Sequence, residues 1–547
     1  MCTIINLKYY RLRYIHLKLY IIIIRNMVKL HESLTNKKQE LELPKIIKWY
    51  TCGPTIYADS HLGHARTFIT FDILRRYLES KGHIVLYCMN ITDIDDKILN
   101  KVKIIHWDNL LETKKLTPTS TDIDKIEELL LNNYSAEDLH PSKELYYEFV
   151  NNEEKKFWVD MDSINVKMPF SKVRVTEVIN EIIEYIQELI KKDYAYVSKN
   201  GSVYFDTQRF NKLYPNIGLH KEIDEQLNLK NSFTNEKKHP NDFSLWKTAK
   251  QYEISFDSPF GKGRPSWNIE CSVMIKKIFG ETIDIHSGGI DLKFPHHHNE
   301  CVQTTAYTEN PNWVKYFLHS GHLHINKEKM AKSLNNFITI KNFLGNHNYR
   351  VLRLILMNSN WNEVLDFNEH IINEATELDN RIHNIYGEIL NSTKNIKIKS
   401  NIDHDDLIFS EYLNNIDKIL EQYWEEFNTI KIIHQIRALI DEIFKYILID
   451  YNPINIYNAK KILDKQFELI GIEYYTNIDG NIMNKYIDTI VEIRDEIKEN
   501  IKFIPKENKE LKNKLFKISD WIRDIKMKEL GIQLEDSNKN TKWKKIN

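Results

Sequence analysis

Two histidines, His61 and His64, flank a Leu-Gly pair shortly after a Gly-Pro turn at 53–54. Residues 46–52 are mainly β-branched and aromatic, which predicts a strand that ends at this turn. An amphipathic helix is predicted next because large apolar residues recur at helical spacing, namely Phe68, Phe71, Leu74 and Leu78. The free N–H groups at a helix start favour an anion. The sequence therefore predicts a phosphate site beside the two histidines, in the opening strand–helix unit of a dinucleotide-type α/β fold.

A second group of cationic residues lies far downstream, in the segment Lys329-Met330-Ala331-Lys332-Ser333. Together with the His-x-Gly-His motif, and in this order, it resembles the two ATP motifs of class I aminoacyl-tRNA synthetases. The surrounding residues resemble the cysteinyl-tRNA synthetases of that class. The matching segments are 50–96, 241–300, 319–339 and 531–543. The resemblance runs from about residue 45 to the C-terminus and is interrupted by insertions that do not match.

The resemblance implies an ATP site shared by the two motifs. His61 and His64 would donate to the phosphates, and Lys329 and Lys332 would stabilise charge on the leaving pyrophosphate, with Mg²⁺ accompanying the ATP. The remaining residues that it implies at this site are Gly63, His286, Asp291 and Ser333. His286 and Asp291 would hold the ribose or the substrate amino group. Ala331 stands where the family has serine; we expect activity to survive, because the position between the lysines need not contact phosphate.

A zinc site is also implied by the resemblance, with Cys52, Cys271, His296 and Glu300 as its ligands. If residues 296–300 are helical, His296 and Glu300 lie on one face and can share an ion. Thiolate, imidazole and carboxylate donors suit Zn²⁺. An open zinc position would bind and deprotonate the thiol of the substrate cysteine, whereas the hydroxyl of serine is a harder and less acidic ligand. We therefore expect discrimination without an editing domain.

The pocket for the amino acid is implied to include Gly53, Thr92 and Trp267. His297 is excluded as a ligand at this stage, because neighbouring residues on a helix point about 100° apart and cannot all face one ion. The chain departs from the family beside the zinc site at Asn268, where the family has histidine, and at His298, where it has an acid. These departures could weaken the support of the metal without replacing a ligand.

The chain has 547 residues, 42% of them hydrophobic, which is enough for two to four domains. We expect a Rossmann-type α/β catalytic domain at 45–345, split by a connective insertion at about 101–240. Helical segments are predicted at 349–358, 368–390, 406–425, 427–449, 457–470 and 483–500. The resemblance makes 346–500 a bundle that lies along the tRNA stem, and 501–547 a small basic module that reaches the anticodon. Trp521 or Trp543 would stack on bases there or, as we favour, belong to the core.

Residues 1–44 form an N-terminal extension whose first 31 residues contain six Lys/Arg and no acid. This composition indicates either an organelle-targeting segment or a leader with Met27 as a second start. The longest apolar run, 19–24, is too short to cross a membrane. Five sparse cysteines favour a reducing compartment over a disulfide framework. We expect a cytoplasmic protein with possible organellar targeting, and the choice between a monomer and a homodimer stays open.

The resemblance implies ligation of L-cysteine to tRNA(Cys) through a cysteinyl-adenylate, with release of pyrophosphate and AMP. Two alternatives remain. One is a cysteine ligase that transfers the activated amino acid to a small amine, against which the roughly 200 residues after position 345 argue. The other is a catalytically silent RNA-binding paralogue, against which the intact motif and ligand residues argue. Residues 121–155, with ten acids and three lysines, have no assigned chemistry.

Overall fold

The computed structural model describes residues 28–118, 121–214, 236–330, 336–394, 402–449, 451–474, 480–505, 508–529, 532–536 and 541–545. The chain divides into two compact units, Met1–Glu473 and Tyr474–Asn547. The division falls before the last helix of the expected bundle, so this helix belongs to the second unit. Within the described residues, no helix combines the length and the apolar composition that a bilayer span requires.

A five-stranded parallel sheet forms the centre of the first unit. In spatial order its strands are Val314–Ser320, Ile283–Gly289, Ile46–Thr51, Ile84–Ile91 and Ser171–Arg174. The three middle strands carry largely buried residues, as expected for a parallel sheet covered on both faces. All the strands run the same way, so their carboxyl ends meet at one edge, where ligands bind in open α/β sheets. The predicted α/β class is confirmed.

The helix Leu62–Ser80 follows the first strand of this sheet and carries the first motif at its start. The apolar residues that the sequence analysis assigned to one face, Phe68, Phe71, Leu74 and Leu78, are all buried. The chain turns into the next strand at Gly82, whose φ of +83° favours glycine. The predicted strand–helix–strand unit is therefore present.

The chain between the strands Ile84–Ile91 and Ile283–Gly289 forms helices and a second sheet. The helices are Asp96–Thr113, Ile123–Leu131, Lys143–Ser163, Val175–Val178 (3₁₀), Ile179–Lys191, Thr207–Leu213 and Trp267–Phe279. The four antiparallel strands are Ala195–Val197, Val203–Phe205, Phe243–Thr248 and Gly263–Pro265. One strand from the expected insertion, Ser171–Arg174, pairs with Ile84–Ile91 in the central sheet. That part of the insertion is built into the catalytic fold.

The residues just before the central sheet are part of the catalytic unit too. Val28–Glu32 and Lys37–Leu41 form an antiparallel hairpin. The carboxylate of Glu32 accepts a hydrogen bond from the Phe317 backbone N–H at 3.1 Å, and Ser33 N–H donates to the Phe317 carbonyl at 2.9 Å. Residues 28–44 are therefore folded against the strand Val314–Ser320, whereas the sequence analysis included them in an N-terminal extension.

Helices dominate the chain after the last strand of the central sheet. The sheet itself is followed by a three-stranded sheet of Leu323–Ile325, Glu328–Lys329 and Leu365–Phe367. Before the last strand of the central sheet lie the helical segments Ile290–Leu292, Lys293–His297 and His298–Thr308, and after it comes Ile340–Leu344. The helices that follow are Tyr349–Met357, Glu369–Lys394, His404–Glu425, Thr429–Ile447 and Pro453–Ile470. These five agree with the helical segments predicted between 349 and 470.

The described residues of the second unit form helical segments followed by a hairpin. Its elements are Gly480–Lys502, Lys509–Trp521, Ile522–Lys526, Met527–Glu529, Ile532–Asp536 and Thr541–Lys545. Arg494 is fully buried and binds the carboxylate of Asp536 through Nη1 at 2.7 Å and Nη2 at 2.8 Å, which fixes the hairpin to the first helix. The preference for Trp521 as a core residue is wrong, because its side chain is 47% exposed. The side chain of Trp543 lies outside the described residues.

Candidate active site and metal centre

The first motif forms the N-terminal cap of the helix Leu62–Ser80. His61 Nδ1 accepts hydrogen bonds from the backbone N–H groups of Gly63 at 3.1 Å and His64 at 3.3 Å. The rings of His61 and His64 stack with their centroids 3.8 Å apart. Burial and the neighbouring His61 hold the pKa of His64 well below its usual range, so His64 is a neutral imidazole near pH 7. Because His61 occupies the N–H groups of Gly63 and His64, a phosphate at this helix start would meet the imidazole rings and the positive end of the helix dipole.

The second motif approaches the first through the residues that flank it. The backbone N–H of Leu62 donates to the Ile338 carbonyl at 3.1 Å, and the Ile340 N–H donates to the Ser60 carbonyl at 3.0 Å. A Cβ placed on Gly63 would lie 3.2 Å from Cε of Met330, so Gly63 allows a close approach there. Ala331, Lys332 and Ser333 lie outside the described residues, as does the side chain of Lys329.

The candidate metal ligands meet at the carboxyl edge of the central sheet. Cys52 follows the strand Ile46–Thr51, and its Sγ lies 3.4 Å from Sγ of Cys271 and 3.5 Å from Nε2 of His296. Nε2 of His296 lies 3.1 Å from Oε1 of Glu300, which is 4.0 Å from the sulfur of Cys52. All four side chains are buried. The four predicted ligands are therefore adjacent in space.

The same cluster also contains His297, which the sequence argument excluded as a ligand. Nε2 of His297 lies 3.2 Å from Sγ of Cys52, and the donor atoms of Cys52, His296, His297 and Glu300 lie within 4.8 Å of one another. The exclusion rested on the 100° offset between neighbouring side chains, but that offset does not keep both imidazoles from one atom: Nε2 of His296 lies 3.5 Å and Nε2 of His297 lies 3.2 Å from Sγ of Cys52. Neighbouring side chains can then face the same point.

Sequence reasoning also missed His319, which holds His297 in place. Its Nε2 lies 2.8 Å from Nδ1 of His297, and its Nδ1 lies 2.7 Å from Oγ of Ser33. His319 lies near the end of the strand Val314–Ser320. Its position at the carboxyl edge of a parallel strand was the signal that could have identified it.

The donor set fits a zinc ion. Burial, followed by the neighbouring Cys271 and Glu300, raises the pKa of the Cys52 thiol well above its ordinary value. Burial also lowers the pKa of His296 to about 4, which leaves a neutral imidazole able to donate a lone pair. A cation at the centre would stabilise the thiolates and the carboxylate, which otherwise repel one another. His286 Nε2 bonds Oε2 of Glu300 at 2.9 Å and so orients that carboxylate.

The predicted pocket residues Trp267, Thr92 and Gly53 each contact or adjoin a candidate ligand or its neighbour in the chain. Trp267 is partly exposed and stacks on the ring of His296 with a centroid distance of 4.3 Å, in a position to line a pocket. Thr92 is buried and donates to Oε2 of Glu270 at 2.9 Å. Gly53 donates its backbone N–H to the side chain of Asn90 at 2.7 Å.

The two residues implied at the ribose or the substrate amino group, His286 and Asp291, differ in their exposure. His286 is fully buried against Glu300, which places it beneath the metal cluster. Asp291, by contrast, has a side chain that is 60% exposed, and its Oδ2 lies 3.2 Å from Nδ1 of His322. Of these two side chains, that of Asp291 is accessible to a ligand.

The family departure at Asn268 is accommodated by amide hydrogen bonds. Its Nδ2 donates to the Ser244 carbonyl at 3.0 Å, and its Oδ1 accepts from Nδ2 of Asn299 at 2.9 Å. Asn299 precedes the ligand Glu300, so Asn268 links the helix Trp267–Phe279 to the metal-bearing helix. At the other departure, the ring of His298 lies 5.6 Å from that of Phe294.

Comparison with solved structures identifies the fold. The chain is similar to methionyl-tRNA synthetase from Mycobacterium tuberculosis, with a TM-score of 0.52 and 12% identity over 78% of this chain and 90% of that one. It is also similar to LeuRS from Agrobacterium radiobacter, with a TM-score of 0.53 and 8% identity over 79% and 86% of the two chains. The family model for the class I (C) tRNA synthetase catalytic domain matches residues 38–377. The fold is thus that of a class I tRNA synthetase, and the chain carries the catalytic domain of that class.

Similarity to relatives of known name identifies the family within this class. The cysteine–tRNA ligase of Methanococcus aeolicus is 36% identical over 532 residues, which cover 95% of this chain and all of that protein. The ligase of Clostridioides difficile is 34% identical over 95% of this chain. The cytoplasmic ligase of Gallus gallus is 33% identical over 93% of this chain and 80% of its own length. The chain belongs to the cysteine–tRNA ligase family.

Proposed function

We propose that the chain ligates L-cysteine to tRNA(Cys) at the expense of ATP. The carboxylate of cysteine attacks the α-phosphate of ATP, and pyrophosphate leaves. A hydroxyl of the terminal adenosine of the tRNA then attacks the carbonyl of the cysteinyl-adenylate, and AMP leaves. The observation that carries this proposal is the buried cluster of Cys52, Cys271, His296 and Glu300 at the same sheet edge as the His61–His64 helix start.

Four side chains hold the metal in this proposal, namely Cys52, Cys271, His296 and Glu300. Zinc, when bound there, would lower the pKa of the substrate thiol and favour a sulfur over an oxygen ligand. His286 orients Glu300, and the stacking of Trp267 on His296 sets the distance between that ligand and the pocket wall. Gly53 and Thr92 complete the amino-acid pocket. His297, held by His319, adds an imidazole beside Cys52.

The ATP site combines the two motifs. His61, Gly63 and His64 receive the phosphates at the helix start, and Lys329, Lys332 and Ser333 contribute from the second motif, with Mg²⁺ on the ATP. Asp291 contacts the ribose or the substrate amino group through its exposed carboxylate. Little covalent chemistry is required of the protein, so positioning and charge stabilisation supply most of the rate.

The helices after residue 349 contact the stem of the tRNA, and the second unit contacts its anticodon. The exposed ring of Trp521, with Nζ of Lys526 5.2 Å from its centroid, supports this assignment, because an accessible aromatic beside a cation suits base stacking next to a phosphate. The reaction is proposed to take place in the cytoplasm, as the name of the Gallus gallus relative states for that protein.

Pyrophosphate exchange tests the proposal. The purified protein is assayed for ATP–pyrophosphate exchange with cysteine or serine, and then for transfer of labelled cysteine to a tRNA(Cys) transcript. We expect exchange with cysteine only, and charging of the transcript. If exchange occurs but the tRNA is not charged, and a small amine accepts the cysteine instead, the protein is the alternative ligase. RNA binding without exchange, in folded zinc-loaded protein, would identify a silent paralogue.

Removal of zinc by chelation tests whether activation of cysteine requires the metal. Removal of zinc with a strong chelator should abolish exchange, and addition of zinc should restore it. The far-ultraviolet circular dichroism spectrum of the stripped protein is the control, because it separates loss of the metal from loss of the fold. Exchange that survives in protein shown to be zinc-free would overturn the metal assignment but not the synthetase.

A further inference from the structure

A fully buried ion pair connects the helix of the first ATP motif to the helical bundle. Asp72 lies in the helix Leu62–Ser80, and Arg353 lies in the helix Tyr349–Met357. Arg353 Nη2 donates to Oδ2 of Asp72 at 2.7 Å, and both side chains are almost entirely inaccessible. Burying two charges carries a large desolvation penalty, so such a pair is weak evidence for stability alone. Its geometry suggests a role in positioning.

The guanidinium of Arg353 also joins the ends of two further helices. Its Nε donates to the carbonyl of Ile164 at 2.8 Å, and its Nη1 donates to the carbonyl of Ile470 at 2.6 Å. The first carbonyl lies at the C-terminal end of the helix Lys143–Ser163 in the insertion, and the second at the end of the helix Pro453–Ile470, the last helix of the first unit. Carbonyl groups at helix ends carry partial negative charge and lack partners within the helix, so a cation suits them. The side chain of Arg353 therefore connects its own helix to the helix of Asp72 and to the C-terminal ends of two further helices.

The partners of this ion pair are arranged to hold it. Oδ2 of Asp72 also accepts from Nε of Arg76 at 2.8 Å, and Oδ1 accepts from the backbone N–H of Lys167 at 2.9 Å. Burial alone would raise the pKa of Asp72, but Arg353 and Arg76 outweigh it and hold that pKa below its ordinary value. A Cβ on Gly471 would lie 2.3 Å from Nη1 of Arg353, so the chain admits only glycine there.

The motif helix is attached to the bundle side at a second point, nearer its start. Arg66 is buried, and its Nε donates to the Gly321 carbonyl at 2.9 Å, directly after the last strand of the central sheet. Its Nη1 donates to Oγ of Ser359 at 3.1 Å, and its Nη2 donates to the Asn360 carbonyl at 3.0 Å. The loop that contains these two residues follows the helix of Arg353. Two attachments, six residues apart, fix both the position and the rotation of the motif helix.

We propose that Asp72 and Arg353 are positioning residues that set the first ATP motif in register with the helical bundle, so that transfer to tRNA depends on them more than activation of cysteine does. This proposal rests on the proposed function, in which the bundle carries the tRNA. Activation uses the two ATP motifs and the metal cluster, all of which precede the bundle helices in the chain. Transfer requires the 3′ end of an RNA held by the bundle to meet the adenylate, and a displacement of about 1 Å can cost on the order of 100-fold in rate.

The test compares the two steps in Asp72→Asn and Arg353→Lys. Cysteine-dependent exchange measures activation, and single-turnover transfer from preformed adenylate measures the second step. We expect exchange to remain within about threefold of the wild type, and the transfer rate to fall at least about tenfold while the KM for tRNA is unchanged. A purely structural defect would lower both rates in proportion to the folded fraction.

Arg350→Lys is the matched control, because it changes the same residue type on the same helix. Arg350 binds Asp379 through Nε at 2.8 Å and Nη2 at 3.1 Å, and Asp379 belongs to the next helix of the bundle. This variant should leave the ratio of transfer to exchange unchanged. An equal fall of transfer and exchange in the Asp72 and Arg353 variants, or no fall in either, would overturn the proposal.

A milder variant decides the question if the buried charges prove necessary for folding. Asn165 has a φ of +56° and donates from Nδ2 to the Gly471 carbonyl at 2.8 Å, while its own carbonyl accepts from Arg353. Asn165→Gly keeps the turn and that carbonyl and removes only the side-chain link. The same selective fall in transfer is expected, and its absence counts against the proposal. Failure of the wild type to charge tRNA would instead overturn the proposed function.

Discussion

The sulfur atoms of Cys52 and Cys271 lie 3.4 Å apart, although 219 positions separate them in the chain. The order of the strands produces this contact. Cys52 follows the strand Ile46–Thr51, and its backbone N–H donates at 3.0 Å to the carbonyl of Ser287 in the neighbouring strand. Cys271 lies early in the helix that leads into that neighbouring strand. Two thiols so close together in a buried site can share one cation.

Replacement of either thiol should therefore reduce the zinc content. For Cys52→Ser and Cys271→Ser we expect bound zinc to fall from about one per chain to less than half, because a hydroxyl is a poor zinc ligand. Atomic absorption on the purified variants measures this. Cys88→Ser is the control, since Cys88 is a buried free thiol in a strand of the same sheet, and it should keep its zinc. Full zinc occupancy in both ligand variants would contradict the assignment.

His61 has a structural and a chemical role that one pair of variants can separate. Asparagine is a good N-cap, whereas alanine is not, so His61→Asn should keep the helix start and His61→Ala should lose about 1 kcal/mol of stability. Both variants remove the imidazole that is proposed to contact phosphate, and we expect each to reduce the exchange rate roughly 100- to 1,000-fold. Thermal unfolding and exchange assays measure the two effects. A fully active His61→Asn protein would show that His61 is only a cap.

Local periodicity was sufficient to predict some elements and not others. The strand–helix unit at 46–80 follows from apolar spacing, because the residues that recur at helical spacing are the ones that the helix buries, namely Phe68, Phe71, Leu74 and Leu78. The strand Ser171–Arg174 has only four residues, and three of them are polar or charged, so no alternating pattern marks it. Pairing with the strand Ile84–Ile91, a tertiary interaction, makes it part of the sheet.

The metal cluster shows a different limit of sequence reasoning. Contacts such as Cys52 with Cys271 depend on strand order, so the spacing of the residues does not predict them, and the family resemblance supplied them instead. The argument against His297 considered only the angle between neighbours on a helix, whereas the imidazoles of His296 and His297 both reach Sγ of Cys52, just after the non-helical Phe294 with φ −140° and ψ 133°. A proline at 295 was the local signal that the helix is not regular there.

Gly53 should tolerate no side chain. A Cβ at this position would lie 1.8 Å from the carbonyl oxygen of Asn90, a backbone atom of the neighbouring strand that cannot move away. We expect Gly53→Ala to reduce the free energy of unfolding by about 3 kcal/mol. Gly387→Ala is the matched control, because a Cβ there meets nothing within 4 Å in a helix, and the change should be neutral or stabilising. Equal unfolding midpoints for the two variants would contradict this reasoning.

The buried carboxyl of Asp93 should make stability fall as the pH rises. Burial raises the pKa of Asp93 from 3.8 to about 6, although the N–H of Thr176 at 3.1 Å and its hydroxyl at 2.6 Å donate to the carboxylate and oppose that rise. Below about pH 3 the group is protonated in both states. Between pH 4 and 6 it ionises first in the unfolded chain, which costs the folded state about 3 kcal/mol by pH 7.

Asp93→Asn removes this titration and keeps a side chain of the same shape. We expect the unfolding free energy of the wild type, minus that of the variant, to decrease by about 2.4 kcal/mol from pH 4 to pH 7 in urea titrations of the full chain. Asp138→Asn is a control of opposite sign, because hydrogen bonds from Ser135 lower the pKa of the exposed Asp138 and its contribution is lost as the pH falls. A difference for Asp93 that is flat across this range would show that its pKa is not raised in the folded protein, against the effect of its burial.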